Sequence, residues 1–248
     1  MSPTAQQLFE RLLQIHGPQQ WWPIYHPITH AEIDIDRLPN GEPAAADHRW
    51  QIMLGAVLTQ NTAWRNVKNA IFALQDAHIV SAHTLLETPV ERLEELIRPS
   101  GYFRQKTRKL HILAKATIDH GWLENQPAKS PSRQDLLRLW GVGPETADSI
   151  LLYAFGFPLF VIDAYTRRIL DRVFSSLDHT DNQKLLPKNA EYHQLQNWFH
   201  HSLSKQAPIY NEYHALFVRH AVEFCSARPK CAACPLQPDF CKNTQKTA

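Results

Sequence analysis

Four cysteines stand in one short segment near the end of this 248-residue chain. A disulfide-stapled secreted protein distributes its cysteines along the chain, whereas thiols clustered in one segment are typical of a single metal site in a reducing compartment. Four thiolates at such spacings can hold an iron–sulfur cluster or a zinc ion. The sequence therefore predicts a metal centre with the ligands Cys225, Cys231, Cys234 and Cys241.

A second group of residues combines backbone freedom with an anion site. Gly141 and Gly143 flank Val142, and glycine permits the positive φ of a tight turn between two short helices. Pro144 suits the first position of the second helix, because an N–H there would have no helical partner. The unpaired amides and the dipole of that helix start favour an anion such as a DNA phosphate. An ordinary turn between two helices would contain the same residues.

A carboxylate ends the longest apolar stretch of the chain. Asp163 directly follows Val161 and Ile162, and a carboxylate in such a place is costly unless it caps a helix or takes part in chemistry. A helix predicted to begin at residue 164 would make N-capping a sufficient explanation. The pattern by itself leaves both roles open.

Basic residues without any acidic residue occupy positions 98–109, on both sides of Tyr102 and Phe103. Basic side chains around exposed aromatic rings suit phosphate contact and base stacking. A solvated helix start above a buried aromatic pair would show the same pattern.

The elements that must position these residues are predicted to be helices nearly throughout. Apolar residues recur with helical spacing, and the β-prone run Phe160–Ile162 is short. Residues 18–46 are rich in proline and are predicted to form a long loop. Helices are predicted at 4–16, from Asp47 as N-cap to about Gln60, and at 62–76, 89–97, 105–119, 133–139, 145–154, 164–175, 190–203 and 209–224.

The composition excludes several classes of protein. Hydrophobic residues make up 44% and charged residues 20% of the chain, which is typical of a folded core and not of a disordered or collagen-like protein. The net charge of +2 is too small to identify a nucleic-acid partner. The longest apolar stretch is shorter than the ~20 residues of a membrane span, and the first residues do not form an export signal. We therefore expect a cytoplasmic protein without a membrane partner.

The turn, the carboxylate and the cysteines together resemble the helix-hairpin-helix DNA glycosylases of the endonuclease III superfamily. The matching motifs are L-x-G-V-G-x-x-T-A at 139–147, V-x-D at 161–163 and the cysteines at 225–241. The resemblance implies damaged double-stranded DNA as the partner of a nucleoid-associated monomer. It also implies a [4Fe–4S] cluster rather than zinc at the four cysteines.

The fold implied by the resemblance is all-α, with two helical lobes. A six-helix barrel would span 45–157 and contain the helix-hairpin-helix at about 133–154. A terminal lobe would join 1–44 to 158–248 and carry the cluster loop 225–241. DNA would lie across the cleft between the lobes, with the hairpin and Asp163 at its mouth.

The resemblance assigns DNA contacts to further residues. Gln60 would enter the gap left by a flipped base, and Tyr102 would wedge in from the other side. A monovalent cation is expected at the hairpin. Phosphate contacts are expected from the hairpin and from basic side chains: Gly141, Val142, Gly143, Arg104, Lys106, Arg228 and Lys230.

The reaction implied by the resemblance is hydrolysis by water. Bifunctional members carry a lysine two residues after the second hairpin glycine, and its amine attacks the sugar to form a Schiff base. This chain has Glu145 in that position, and the sequence has no lysine between Lys129 and Lys184. Asp163 would then be the catalytic carboxylate, with Glu145 nearby.

Several segments are similar to one subgroup, the endonuclease III-type 3-methyladenine DNA glycosylases. They are 21–23, 54–62, 98–103 and 145–148. An N3- or N7-alkylated purine is cationic, and stacking it between indoles would contribute roughly 1–2 kcal/mol when desolvated. The matching positions that would line the base pocket are Trp22, Trp64, Pro23 and Trp21.

Two sets of alternatives stay open. His220 lies on a helical stripe with Phe217 and Phe224, which indicates a core residue, although relatives place a basic residue there at the base pocket. The protein could also be a glycosylase for oxidised or deaminated pyrimidines with lyase activity, or an iron–sulfur DNA-binding protein without catalysis. Asp163 argues against a pure binding protein, and Trp22 and Trp64 favour an alkylated purine.

Overall fold

A computed structural model of the protein describes residues 4–34, 36–43, 45–123, 129–174 and 190–241. Regular structure in these residues is almost entirely helical, which confirms the predicted all-α class. The chain folds as two compact units, and no described helix is long and apolar enough to cross a membrane. We call Trp22–Phe157 the central unit, and Met1–Trp21 with Pro158–Ala248 the terminal unit.

The central unit begins with a small hairpin and continues as helices. Its order is β1 (Ile24–Tyr25), β2 (Glu32–Ile33), α2 (Ala46–Leu58), α3 (Trp64–Asp76), α4 (Ala82–Glu87), α5 (Val90–Ile97), α6 (Phe103–His120), α7 (Arg133–Arg138) and α8 (Pro144–Phe155), with a 3₁₀ turn at Arg98–Ser100. The terminal unit contains α1 (Ala5–His16), α9 (Ala164–Phe174), α10 (Tyr192–Ser202) and α11 (Ala207–Glu223), with a 3₁₀ turn at Cys231–Ala233.

The predicted loop at 18–46 is wrong in part, because it contains the antiparallel pair β1–β2. Side chains of two helices fix this pair to the central unit. Gln51 accepts a hydrogen bond from the Tyr25 N–H at 2.8 Å, and the side-chain amides of Gln51 and Gln75 donate to the Tyr25 carbonyl at 3.1 and 2.9 Å. The central unit begins at Trp22 and therefore includes the pair β1–β2.

Helices α2 and α8 pack against each other at the centre of this unit. Both are buried nearly all round, as expected for helices that are apolar on every face. Helix α2 begins one residue before the predicted N-cap Asp47, so that Asp47 stands in its first turn and Ala45 is the N-cap. The sequence analysis also missed α4. This helix begins with a capping box between Ser81 and Thr84.

The core of the terminal unit is an aromatic cluster. Phe160, from the β-prone run, stacks on Phe199 of α10 with ring centroids 3.6 Å apart. Tyr213 stacks on Phe217 one turn later in α11 at 4.6 Å, and its hydroxyl donates to the Ala5 carbonyl at 2.9 Å. These contacts hold α1, α10 and α11 around the extended segment that ends at residue 163.

Candidate functional site

The expected catalytic carboxylate, Asp163, forms the N-cap of α9. Its Oδ1 accepts a hydrogen bond from the Thr166 N–H at 2.7 Å, and its backbone carbonyl accepts one from the Arg167 N–H at 3.1 Å. An N-cap oxygen satisfies a terminal amide that has no acceptor within the helix. Capping uses one carboxylate oxygen and leaves Oδ2 for a second partner.

That second partner is His214 of α11, which the sequence analysis missed. Its Nε2 lies 3.5 Å from Asp163 Oδ2, and the two side chains are 8% and 13% exposed. His214 follows Tyr213 on a largely buried helix, where a histidine is easily taken for a core residue. The pairing depends on two segments about fifty residues apart in sequence, so local periodicity could not reveal it.

The surroundings of Asp163 favour its charged form. Burial alone raises the pKa of Asp163, but the charge and hydrogen bond of His214 and the backbone hydrogen bond of Thr166 lower it further than burial raises it. The pKa of Asp163 therefore lies below its ordinary value, and the carboxylate is ionised at neutral pH. Such a group can stabilise positive charge that develops next to it.

The expected hairpin connects α7 to α8 in the central unit. Gly141 has φ +83°, in the left-handed region that favours glycine, and a Cβ at this position would also clash with the Lys109 side chain. Gly143 is the N-cap of α8 and Pro144 is its first residue. The side chain of Val142 is buried, so a DNA contact at this position would fall to its backbone.

An ion pair joins the two hairpin helices. Arg133 Nε donates to Asp148 Oδ1 at 2.6 Å, and Nη2 donates to Oδ2 at 3.1 Å, while the Asp148 side chain is fully buried. Paired, parallel hydrogen bonds of this kind fix geometry as well as supplying energy. They set the angle between α7 and α8 and therefore the shape of the turn.

Gln60 holds the hairpin in this structure. Its Nε2 donates to the Gly141 carbonyl at 3.2 Å and to the Thr146 hydroxyl at 2.9 Å, and its Oε1 accepts a short hydrogen bond from the Lys109 ammonium. The expectation was that Gln60 fills the gap left by a flipped base. The side chain found here is instead engaged within the protein.

The prediction that Lys106 contacts a phosphate is wrong. The side chain is 1% exposed, and its ammonium donates to the carbonyls of Leu58 and Ser100, each at 2.7 Å. Burial, with a smaller contribution from the charge of Lys109, lowers its pKa to about 8. Lys106 therefore joins the end of α2 to the start of α6 from inside the protein.

Several other side chains expected at the DNA are exposed. Tyr102 is 67% exposed in the left-handed conformation at the start of α6, and the Arg104 side chain is 82% exposed, 3.8 Å from Glu94. The Arg108 guanidinium lies 4.1 Å from the ring centre of exposed Trp140 at the hairpin, a pair to which the sequence analysis gave no role. These groups provide cationic and aromatic surface in the central unit.

The expected base-pocket residues form an aromatic cluster. Trp22 meets Trp64 edge to face with centroids 5.2 Å apart, and it contacts Tyr153 at 5.2 Å; Pro23 is buried beside it. Trp64 Nε1 donates to the Tyr25 hydroxyl at 3.1 Å. Because the two indoles touch edge to face, they are not two parallel walls, and the expected sandwich of a base between them is wrong for this structure. Trp64 is half-buried and held from two sides.

Two further predicted residues are at least partly exposed. Glu145 is exposed in the first turn of α8, next to the hairpin. Trp21 is half-buried and is the last residue of the terminal unit's first segment.

The four cysteines lie in the last described residues of the terminal unit, and none forms a disulfide. Burial raises the pKa of Cys234, the backbone hydrogen bond at Leu236 lowers it, and the charges of Cys241, Cys225 and Cys231 raise it. The Arg172 guanidinium of α9 donates to Cys225 Sγ at 3.1 Å, and such a cation suits an anionic thiolate centre. The donor set fits a cluster of four thiolate ligands. Among the residues that the structure describes, no three His, Cys, Asp or Glu side chains are grouped to hold a single metal ion.

His220 lies beside this cysteine group. Its Nε2 is 3.5 Å from Cys234 Sγ, and its Nδ1 is 3.1 Å from Nε2 of His16. Burial, with a smaller contribution from His16, lowers the pKa of His220 to about 4, so the ring is neutral. The side chain is 1% exposed, which favours the core role over a base-pocket role.

Comparison with known proteins identifies the class. Residues 54–192, more than half of the chain, match the family described as HhH-GPD superfamily base excision DNA repair protein. The chain therefore belongs to this superfamily of endonuclease III-like DNA glycosylases.

Relatives and solved structures agree with this assignment. The chain is 34% identical over 94% of its length, and 94% of the relative's, to "Putative DNA repair glycosylase MJ1434" of Methanocaldococcus jannaschii. It is 25% identical to Thymine/uracil-DNA glycosylase of Pyrobaculum aerophilum, covering 87% of this chain and 86% of the relative. A non-covalent Endonuclease III–DNA complex matches its fold with a TM-score of 0.66 at 19% identity, covering 96% of this chain and 93% of that one. The H. pylori 3-methyladenine DNA glycosylase MagIII bound to 1,N6-ethenoadenine matches with a TM-score of 0.65 at 22% identity, covering 89% and 98%.

Proposed function

We propose that the protein is a monofunctional DNA glycosylase that hydrolyses the N-glycosidic bond of a flipped alkylated purine of the 3-methyladenine type. The observation that carries the proposal is the buried Asp163 carboxylate, whose two oxygens lie against two partners, Thr166 N–H and His214, at the N-terminus of α9. An N-cap needs only one oxygen of the carboxylate. It does not require a histidine beside the second oxygen.

The chemistry requires such a carboxylate. As the bond between base and sugar breaks, positive charge develops on the sugar ring. An ionised Asp163 below the ring would stabilise that charge and would orient or deprotonate the attacking water. The alkylated base is cationic and already a good leaving group, so the reaction needs little help from a general acid.

The residues near the hairpin support the monofunctional assignment. Glu145 is exposed at the position where bifunctional relatives carry the attacking amine, and a carboxylate cannot form an imine. The nearby amine of Lys106 is buried on two carbonyls, and that of Lys109 is bound to Gln60. Both ammonium groups are therefore engaged within the protein.

The lesion class rests on the aromatic cluster. Trp64 is fixed by Tyr25 and Trp22, which makes it a rigid surface on which a cationic base can stack. The base would stack on one indole, whereas the sequence indicated stacking between two. The thymine/uracil and endonuclease III relatives favour a second candidate, a pyrimidine lesion, and the experiment below includes it.

DNA binding is assigned to exposed groups. The amides at the start of α8, the Arg104 side chain and the loop residues Arg228 and Lys230 would contact phosphates, and Tyr102 would support the distorted duplex. The four cysteines would hold a [4Fe–4S] cluster with Arg172 beside it. When bound, the cluster supplies a rigid anchor for the loop that carries the two basic residues.

The test is an excision panel with purified protein. Duplexes carry either an alkylated purine, an oxidised pyrimidine or uracil, and each reaction is read with and without alkali and with borohydride. We expect release of the alkylated purine, strand breaks only after alkali and no trapped complex. Asp163→Asn keeps the cap and removes the charge, so it should lose at least ~10²-fold in excision while still binding DNA. A robust borohydride adduct contradicts the monofunctional assignment, and pyrimidine release alone contradicts the lesion class.

A further inference from the structure

We infer that His214 is a positioning residue for catalysis, because its Nε2 lies against the second oxygen of the Asp163 carboxylate and orients that group. The inference rests on the proposed catalytic role of Asp163. Its basis is the division of partners between the two oxygens: Oδ1 accepts from the Thr166 N–H at 2.7 Å, and Oδ2 lies 3.5 Å from His214.

Two partners on different helices restrict the carboxylate more than one partner does. The torsion that turns a carboxylate about its Cβ–Cγ bond has a broad minimum, so a single hydrogen bond from α9 leaves the plane of the group free to rock. The imidazole of His214 on α11, 3.5 Å from the other oxygen, restricts that rocking. Both side chains are largely withdrawn from water, so solvent does not easily replace the histidine.

His214 is the titratable side chain that faces the carboxylate within the described residues of the terminal unit. Other charged or titratable groups on α9, α10 and α11 near this point have contacts elsewhere. They are Arg167 on the Ala190 carbonyl, Arg168 over the Tyr165 ring, Tyr192 at the Ile162 N–H and Glu212 at the Gln19 N–H. Without His214, burial would dominate the environment of Asp163 and raise its pKa.

The first measurement follows Asp163 itself. Protein labelled with ¹³C at the aspartate carboxyls is titrated by NMR, and Asp163→Asn identifies the signal. In His214→Leu the pKa of Asp163 should rise by roughly one unit relative to wild type. His214→Gln retains an N–H donor without the charge and should restore part of the difference. Tyr210→Phe is the matched control, because that buried hydroxyl lies one turn earlier on α11 and has no hydrogen-bond partner among the described residues.

The second measurement is single-turnover excision against pH. A higher pKa of Asp163 means that the carboxylate is protonated at a higher pH, so the acid limb of the profile should move to higher pH. At a fixed pH on that limb, His214→Leu should lose about tenfold in rate for a one-unit shift, while Tyr210→Phe follows wild type. DNA affinity should not change in either variant.

The outcomes separate this inference from the proposed function. If Asp163→Asn is inactive and His214→Leu has a wild-type pH profile and carboxyl titration, His214 is a structural residue and the inference is overturned alone. If Asp163→Asn is fully active, the proposed function is overturned and this inference with it, because His214 would then have no catalytic group to position. If His214→Leu does not fold, His214→Gln takes its place in both measurements. An Asp163 carboxyl titration identical to that of the wild type then contradicts the inference.

Discussion

The contacts of Gln60 lead to a prediction that separates two roles for this residue. If Gln60 holds the hairpin, Gln60→Ala should destabilise the protein even without DNA. If it serves only to fill the gap left by a flipped base, the free protein should be unaffected. The structure favours the first role, because the side chain makes three hydrogen bonds within the central unit.

The magnitude follows from the burial of each partner. The hydrogen bond from the Lys109 ammonium involves a charged group and should contribute about 1.5 kcal/mol, and the one to the Thr146 hydroxyl about 1 kcal/mol. The Gly141 carbonyl belongs to an exposed residue, where water can replace the lost donor at little cost. Gln60→Ala should therefore lower the free energy of unfolding by roughly 2–3 kcal/mol, or the Tm by about 5–10 °C.

The assay compares thermal unfolding with binding to an undamaged duplex. Gln60→Ala should lose both stability and several-fold affinity, because a loosened hairpin no longer presents its amides to a phosphate. Gln105→Ala on α6 is the matched control, since that glutamine is exposed. Lys109→Met should reproduce part of the loss, and the double variant should lose less than the sum of the two. A Gln60→Ala protein with wild-type Tm and wild-type affinity, but without excision, would refute this reasoning.

Three further perturbations test other parts of the structure. Lys106→Met leaves two buried carbonyls unpaired and should cost roughly 2–4 kcal/mol in denaturant unfolding. The folded protein loses the Lys106 proton near pH 8, and the unfolded chain loses it near pH 10.5. The stability of the wild type relative to this variant should therefore increase with pH between these two values. A stability difference that does not change with pH contradicts the assignment. Replacing Arg228 and Lys230 by alanine should reduce the slope of log affinity against log salt by roughly 1.8, equally for damaged and undamaged DNA. Arg172→Met should lower iron content in anaerobically purified protein, whereas stoichiometric zinc without iron would overturn the cluster proposal.

The sequence could predict those features of the fold that depend on neighbouring residues, such as turns and helices. The turn at Gly141 is encoded by a backbone conformation that glycine permits, and Gly17 ends α1 for the same kind of reason. The helical spacing of apolar residues predicted the bounds of most helices to within a few residues. The pair β1–β2 was missed because each strand has two residues and because its anchoring donors, Gln51 and Gln75, come from helices far along the chain.

Charge patterns were less reliable than backbone patterns. Lys106 and Arg104 are two residues apart in one basic segment, yet one is buried on two carbonyls and the other is almost fully exposed. Lys106 is buried because its ammonium reaches the end of α2. The order of charges along the sequence does not show where that helix end lies in the fold. His214 was missed for the same reason, because its relation to Asp163 exists only after α9 and α11 pack.

A common arrangement emerges from these contacts. Several residues in or next to the expected site are held by a polar partner on another element. The pairs are Asp163 with His214, Gly141 with Gln60, Asp148 with Arg133 and Cys225 with Arg172. Because such partners orient chemistry without supplying it, their loss should lower activity through geometry and pKa. Substitutions at these positions are therefore the most direct way to separate the positioning of the active groups from their chemistry.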